Sequence, residues 1–198
     1  MKIIRYLLLF ASLSMMVIIF WFSSQPADDS ARVSSSVDYF ICEKTIPEFT
    51  TLGPGMQRLL TEAVDYQIRK CAHAGEYLIL AILCTASLFA WRKELRRAKD
   101  RSDTIQRYGI HWNRLHPNDA QQKMSEQTAG LIFLLFLGWG IAVLYSVTDE
   151  IHQMFVPGRA CMFTDILIDS AGALTGVLLF AAVWFPIHKY RQMICINT

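Results

Sequence analysis

Apolar residues lie in four long blocks along the chain, and the charged residues lie mainly between these blocks. The blocks cover approximately residues 6–22, 71–91, 129–147 and 162–185. A helix that crosses a bilayer needs roughly 20 mostly apolar residues. The pattern therefore predicts an all-α polytopic membrane protein, a bundle of four transmembrane helices that forms a single domain over residues 1–198.

The first apolar block has two interpretations, a cleaved signal peptide or a retained span. Its apolar core is long, and no small-residue cleavage site follows it closely. The cluster of Phe20, Trp21 and Phe22 at its end suits a helix anchored at a membrane interface. We therefore interpret the block as a retained span.

The segments between the blocks differ in their predicted structure. Residues 23–70 contain turn-forming residues at Pro47 and at positions 53–55, which read GPG. Residues 56–70 are predicted to form a short amphipathic helix that leads into the second span. Residues 92–128 carry many Lys and Arg side chains and are predicted to form a solvated basic loop.

The distribution of these basic residues predicts the orientation of the spans. Lys and Arg are concentrated in residues 92–128, and others lie at the two ends of the chain, at Lys2, Arg5, Lys189 and Arg191. Because segments rich in Lys and Arg remain in the cytoplasm, both termini and the 92–128 loop are predicted to be cytoplasmic. The 23–70 loop is then extracytoplasmic, in a multi-pass protein of the cytoplasmic membrane.

Composition agrees with a membrane protein and gives no indication of a nucleic-acid partner. Hydrophobic residues make up 53% of the 198 residues, and charged residues make up 18%, against roughly 25% in soluble domains. The net charge of +2 is too small to suggest binding to nucleic acid. The five cysteines show no CxxC spacing and are expected to be mostly free thiols, although a disulfide among Cys42, Cys71 and Cys161 remains open.

Polar residues that could bind or react gather at the predicted outer ends of the spans. They are Ser24 and Gln25 after the first span, Lys70, His73 and Glu76 at the second, Asp149, Glu150, His152 and Gln153 after the third, and Arg159, Asp165 and Asp169 before the fourth. The second and fourth apolar blocks are short for a hydrocarbon core of ~30 Å, so His73, Glu76 and Asp169 are drawn toward the membrane. Ionisable groups at that depth cost several kcal/mol unless they face protein or water, so they are expected to face one another.

The spacing of these residues fits shared helix faces. His73 and Glu76 are three residues apart, and Asp165 and Asp169 are four apart. Gly172 and the glycine four residues after it form a GxxxG pattern that allows close helix approach. Each residue taken alone also has an ordinary structural explanation, such as an interface anchor, a packed histidine, an acid in a first helical turn or simple span packing.

Four stretches of the chain together resemble one known family. They are residues 22–26 (FSSQP), 69–77 (RKCAHAGEY), 146–159 (SVTDEIHQMFVPGR) and 165–176 (DILIDSAGALTG), and they occur in all four spans. These motifs are similar to those of the VanZ-like family, and the long third motif is the most specific. The resemblance implies a bacterial integral membrane protein at the outer face of the cytoplasmic membrane, in a family associated with antibiotic resistance to teicoplanin, a lipid-bearing glycopeptide. Many members carry Asn at the position of Asp169.

Three functional hypotheses follow, and the first is favoured. The chain could bind a lipid-linked envelope precursor, a lipid head group or a lipoglycopeptide through Ser24, Gln25, Lys70, Gln153, Arg159, Asp165 and Asp169. It could instead be an enzyme that modifies such a molecule, with His73, Glu76, Asp149, Glu150 and His152 as candidate catalytic residues.

The enzyme hypothesis leaves the cofactor unknown. A divalent metal ion is one candidate, but no defined metal motif is present and no metal ligand is assigned. An ion-coupled transporter is less favoured, because the acidic residues cluster at one membrane face. The oligomeric state stays open.

Overall fold

A computed structural model describes residues 2–26, 37–107 and 117–196, with side chains described at 3–26, 37–92 and 128–187. All regular elements within these ranges are helical. They are α1 (Lys2–Ser23), α2 (residues 37–45), a short 3-10 turn (Phe49–Thr51), α3 (Pro54–Arg107), α4 (Pro117–Gln153) and α5 (Phe163–Ile196). Within the described chain, four helical segments are long and apolar enough to cross a membrane: Ile3–Ser23, Pro54–Arg92, Thr128–Gln153 and Phe163–Ile187. The predicted all-α architecture with four spans is confirmed.

The helices extend further than the apolar blocks indicated. The expected helix at 56–70 is present, but it is the first part of α3, which continues without a break for 54 residues. The predicted basic loop is also largely helical, since α3 runs to Arg107 and α4 begins at Pro117. Ala, Leu, Glu, Lys and Arg are strong helix formers, so this polar stretch can stay helical outside a membrane, and Pro is favoured at a first helical position. The remaining parts of the predicted loops, at 27–36 and 108–116, lie outside the described residues.

A tight turn joins α4 to α5. The amide of Phe155 donates to the carbonyl of His152 at 2.9 Å, and the amide of Arg159 donates to the carbonyl of Val156 at 3.1 Å. Gly158 has φ 75, a left-handed conformation that residues with a Cβ adopt only with strain. Pro157 and Gly158 lie in this turn, which fixes where α5 begins relative to the end of α4.

Helix α3 is the centre of the bundle, because it packs against α1, α4 and α5. The predicted GxxxG pattern brings α5 close to it. A Cβ at Gly172 would lie 2.8 Å from the carbonyl carbon of Ala74, and a Cβ at Gly176 would lie 3.0 Å from that of Leu78. Below this contact the buried core is mainly apolar, formed by Ile19, Tyr77, Leu80, Ala81, Cys84, Ala142, Ala173 and Val177. The close approach places the start of α5 directly beside residues 70–77 of α3.

The described cysteines form no disulfide. Cys42 and Cys84 are buried free thiols, and Cys71 and Cys161 are exposed free thiols. The expectation of mostly free thiols therefore holds for these four residues. The side chain of Cys195 lies outside the described ones.

Candidate functional site

The predicted site residues lie at one end of the bundle, which we call the polar end. It consists of the last turn of α1, residues 65–77 of α3, residues 146–153 of α4, the α4–α5 turn, and residues 163–172 of α5. The continuous helix of α3 and the tight α4–α5 turn bring these segments together. Their polar side chains then make three sets of contacts, which join different pairs of helices.

Asp149 joins α4 to α1. Its Oδ2 accepts a hydrogen bond from Oγ of Ser23 at 2.7 Å and another from Nε2 of Gln153 at 3.1 Å. One turn away, Oγ of Ser24 lies 3.1 Å from Nε2 of His152, and the imidazole is 4.4 Å from the ring of Phe20. His152 therefore packs on α1 and completes the α1–α4 contact.

Two further carboxylates join α4 to α5. Oγ of Ser146 donates to Oδ2 of Asp169 at 2.7 Å, and the exposed fraction of Asp169 is only 2%. Glu150 is 1% exposed, and its Oε2 accepts a hydrogen bond from the backbone amide of Met162 at 2.9 Å. Both acids are therefore buried between the end of α4 and the start of α5.

The third set of contacts belongs to α3. Lys70 forms an ion pair with Asp165 of α5. His73 and Glu76 share a face as predicted, with His73 Nδ1 3.8 Å from Glu76 Oε2, and about a fifth of each side chain is exposed. The charges that act on the His73 ring come from Lys70 of α3, Asp149 of α4, Asp165 of α5 and Arg159 of the α4–α5 turn.

Arg159 covers the end of α1. Its Nε donates to the carbonyl oxygen of Gln25 at 2.9 Å, and its Nη2 donates to that of Phe22 at 3.3 Å. A cation is favourable there because the last carbonyls of a helix lack partners within the helix. The side chain of Gln25 turns back to the carbonyl of Trp21 at 3.3 Å, so Gln25 contributes its backbone to this contact.

The charges around Arg159 follow from the same arrangement. Burial lowers the pKa of Arg159, and the positive charge of Arg69 lowers it further. The carboxylates of Asp149, Glu150 and Glu76 act in the opposite direction. The guanidinium remains charged at neutral pH, and it lies above an acidic group of side chains.

Three buried polar atoms at the polar end have no hydrogen-bond partner within the described part of the chain. They are the hydroxyl of Tyr77, Oδ1 of Asp149 and Oδ1 of Asp169. Tyr77 is 0% exposed and Asp149 is 4% exposed. Ser146, which bonds to Asp169, lies within one turn of Asp149 on α4, and the ring of Tyr77 lies 6.4 Å from that of Tyr145 on the same helix. The three groups therefore lie at one level of the bundle. A buried polar atom without a partner costs about 1–3 kcal/mol, and more if it is charged.

Sequence reasoning did not single out Ser23, Ser146 or Tyr77 as site residues. Ser23 and Ser146 are the donors to the two central aspartates, and Tyr77 supplies one of the three unpartnered atoms. All three lie within the motifs that carry the family resemblance, Ser23 in 22–26, Tyr77 in 69–77 and Ser146 in 146–159, and that was the available signal.

The polar end is rich in acceptors of hydrogen bonds. Six carboxyl groups and three cations lie there: Asp65, Glu76, Asp149, Glu150, Asp165 and Asp169, with Arg69, Lys70 and Arg159. Within the described ranges, no three or more His, Cys, Asp or Glu residues are arranged to hold a metal ion. The arrangement can instead accept hydrogen bonds from a polar group or hold a proton between carboxylates.

Comparison with known proteins identifies one relationship over most of the chain. A family model described as VanZ/LLP1 matches residues 8–185, a range that contains every predicted site residue. No curated protein matches the chain, and no solved structure matches it.

Proposed function

The chain belongs to the VanZ/LLP1 family of membrane proteins, and we propose that it binds the head group of a lipid-linked envelope component or of a lipid-bearing glycopeptide at its polar end. In this function the spans contact the acyl chain of the ligand. The buried side chains of the polar end, together with Lys70 and Arg159, recognise the head group. Binding of this kind would let the protein contribute to teicoplanin-type resistance.

One observation carries the proposal. Asp149, Glu150 and Asp169 are each less than 5% exposed, and all three lie at the same end of helices that are otherwise apolar enough to cross a membrane. Ionisable groups inside spans are costly and usually mark a ligand, ion or proton site. Three of them, surrounded by serine donors and a histidine, favour a site for a polar ligand over simple helix packing.

The proposal places the polar end on the extracytoplasmic side, as the distribution of Lys and Arg predicts. Cys161 lies exposed in the α4–α5 turn and is a native probe of this orientation. In a Cys71→Ser background, which removes the other exposed thiol of the polar end, a membrane-impermeant maleimide should label Cys161 in intact spheroplasts. The added Cys161→Ser substitution should abolish that label. Labelling of Cys161 only after the membrane is opened would place the polar end in the cytoplasm.

The function is tested by glycopeptide susceptibility together with ligand binding. In a susceptible host, expression of the chain should raise the teicoplanin concentration that stops growth, and Asp149→Asn should abolish the increase. Glu62→Gln is the matched control, because it removes a carboxylate from α3 that is 61% exposed and outside the polar end. If susceptibility is unchanged, the resistance role is wrong, and if no amphiphile co-purifies with the protein, head-group binding is wrong as well.

Acid–base catalysis on the same kind of molecule is the second candidate. His73 Nδ1 lies 3.8 Å from Glu76 Oε2, and both side chains are partly exposed, so a substrate can reach them. The test is incubation of the protein with a bacterial lipid extract, followed by mass analysis. A mass change that requires both His73 and Glu76 would favour an enzyme. The transporter hypothesis gains no support, since the described core beyond Tyr77 is mainly apolar.

A further inference from the structure

We infer that the polar end recognises an ammonium group, carried on an amphiphile, rather than a phosphate. This inference rests on the proposed function and specifies the chemistry of its ligand. The ammonium group would lie among the unpartnered atoms of Tyr77, Asp149 and Asp169. The alkyl part of the ligand would extend toward the membrane along the helices.

The charge balance of the polar end favours a cation. Arg69 and Lys70 are already paired with Asp65 and Asp165, and the Nε and Nη2 atoms of Arg159 donate to backbone carbonyls of α1. None of these three cations forms an ion pair with Asp149 or Asp169 within the described side chains. A phosphate would therefore add negative charge beside buried carboxylates, whereas an ammonium ion would reduce their repulsion.

The unpartnered atoms fit the hydrogen bonding of an ammonium ion. Such an ion has three N–H donors and no acceptor. Oδ1 of Asp149 and Oδ1 of Asp169 are both acceptors, and the hydroxyl oxygen of Tyr77 is a third. All three residues are more than nine-tenths buried. Their other contacts are already made, since Oδ2 of each aspartate bonds to a serine.

An ammonium ion fits better than a metal ion. No three His, Cys, Asp or Glu residues in the described part of the chain are placed to coordinate a metal together. Ammonium donors reach separate acceptors at ordinary hydrogen-bond distances and do not need one tight coordination shell. A phenolic hydroxyl such as that of Tyr77 serves as such an acceptor.

An apolar surface beside the site favours an amphiphile over a small soluble amine. Four large apolar side chains are exposed around the α4–α5 turn: Met154, Phe155, Met162 and Phe163, with exposed fractions from 43% to 79%. They flank the acids that end α4 and begin α5. An alkyl chain attached to the ammonium group could bury part of this surface, which a soluble amine would leave exposed.

The experiment compares two amphiphiles that share a dodecyl chain and one short-chain amine. The full chain is purified in dodecyl maltoside and mixed with dodecylammonium, dodecyl phosphate or n-butylammonium at pH 7. Occupancy is read by native mass spectrometry. We expect dodecylammonium to bind at least about tenfold more tightly than dodecyl phosphate, since a charge-assisted hydrogen bond to a buried group is worth about that factor. We expect at least about the same factor over n-butylammonium, since the longer alkyl chain buries more apolar surface.

Variants locate the binding site. Asp169→Asn and Tyr77→Phe should each weaken dodecylammonium binding by about tenfold. Tyr77→Phe removes only the hydroxyl and keeps the ring, so it retains the packing of the core. Glu62→Gln, which changes an exposed carboxylate of α3, should leave the binding as it is.

The outcomes separate this inference from the proposed function. Tighter binding of dodecyl phosphate, or ammonium binding that survives both Asp169→Asn and Tyr77→Phe, would overturn the ammonium assignment and leave head-group binding standing. Equal binding of n-butylammonium would overturn the assignment to an amphiphile. Saturable binding of none of the probes would overturn both the inference and the head-group function.

Discussion

The two ends of the helix bundle are held together by different kinds of contact. At the polar end, Asp149 and Asp169 bond to serines of neighbouring helices, and Lys70 pairs with Asp165. At the opposite end, defined by Arg5, Tyr6, Phe89, Trp91, Phe180 and Trp184, aromatic rings make the contacts. The ring of Phe89 lies 5.1 Å from that of Phe180 and 4.8 Å from that of Trp184.

The two kinds of contact differ in what they contribute to the stability of the bundle. Edge-to-face aromatic pairs contribute about 0.5–1.5 kcal/mol each. The polar end leaves carboxylate oxygens of Asp149 and Asp169 without partners, which costs stability. A bundle that needed only to assemble would gain by replacing these acids. Under the proposed function, these acids are present because the polar end binds a ligand, whereas the opposite end serves packing.

The largest expected effect comes from the close approach of α3 and α5, on which the polar end depends. Gly172→Ala places a Cβ 2.8 Å from the backbone of Ala74, where the contact cannot relax without moving a helix. We expect the free energy of unfolding to fall by more than about 3 kcal/mol, at the upper end for overpacking. The measurement is unfolding in mixed detergent micelles with increasing dodecyl sulfate, followed by circular dichroism.

Gly75→Ala is the matched control for that substitution. A Cβ at Gly75 would have no neighbour within 4 Å. Alanine in a helix is favoured over glycine by up to about 1 kcal/mol, so this variant should be as stable as the original or slightly more stable. Equal stability of the two alanine variants would contradict the close α3–α5 contact.

The second prediction concerns a substitution that disrupts packing only at the opposite end. Phe89→Ala removes a ring that contacts both Phe180 and Trp184 and is only 9% exposed. We expect a loss of about 2–3 kcal/mol, slightly less than for a phenylalanine in a water-soluble core, because lipid can fill part of the space. Dodecylammonium occupancy of the folded protein should not change. A loss of that occupancy would mean that the two ends are not independent.

The third prediction addresses a single hydrogen bond at the polar end. Ser23→Ala removes the donor to Oδ2 of Asp149 and leaves Gln153 as the remaining donor to that oxygen. We expect a loss of about 1.5 kcal/mol, typical for a hydrogen bond to a charged group. Thr148→Ala is the control, since its hydroxyl bonds only to a carbonyl of its own helix and is exposed. Similar losses for the two variants would show that the α1–α4 contact does not depend on Asp149.

The sequence predicted those features of the bundle that follow from residue spacing along a single helix. The spacing of His73 and Glu76 placed this pair on one face, and the structure has the contact between them. The GxxxG pattern at Gly172 also predicted a close helix contact. Such features depend only on the 3.6-residue period of the helix, which is known in advance.

Contacts between helices could not be predicted in this way. Ser146 meets Asp169 and Ser23 meets Asp149 only because of how α1, α4 and α5 are rotated about their axes. Neighbouring spans set that rotation by packing, and no local pattern encodes it. The long polar extension of α3 was missed for another reason, since hydrophobic blocks mark the membrane and not the end of a helix.

The smallest expected effect tests whether the carboxylate of Asp169 lowers the stability of the fold, as a proposed ligand site at the polar end implies. In Asp169→Asn the side-chain oxygen can still accept the hydrogen bond from Ser146, and the negative charge is removed from a residue that is 2% exposed. The new amide can donate toward the nearby carboxylates of Asp149 and Glu150, which act electrostatically on this position. We therefore expect the free energy of unfolding to rise by about 1 kcal/mol, in the same assay as above, while dodecylammonium occupancy falls.

Asp165→Asn supplies the contrast, because it breaks the ion pair with Lys70 and should lower stability. If Asp169→Asn is less stable than the original chain, the carboxylate of Asp169 holds the fold together, and the division between a packing end and a ligand end does not apply to this residue.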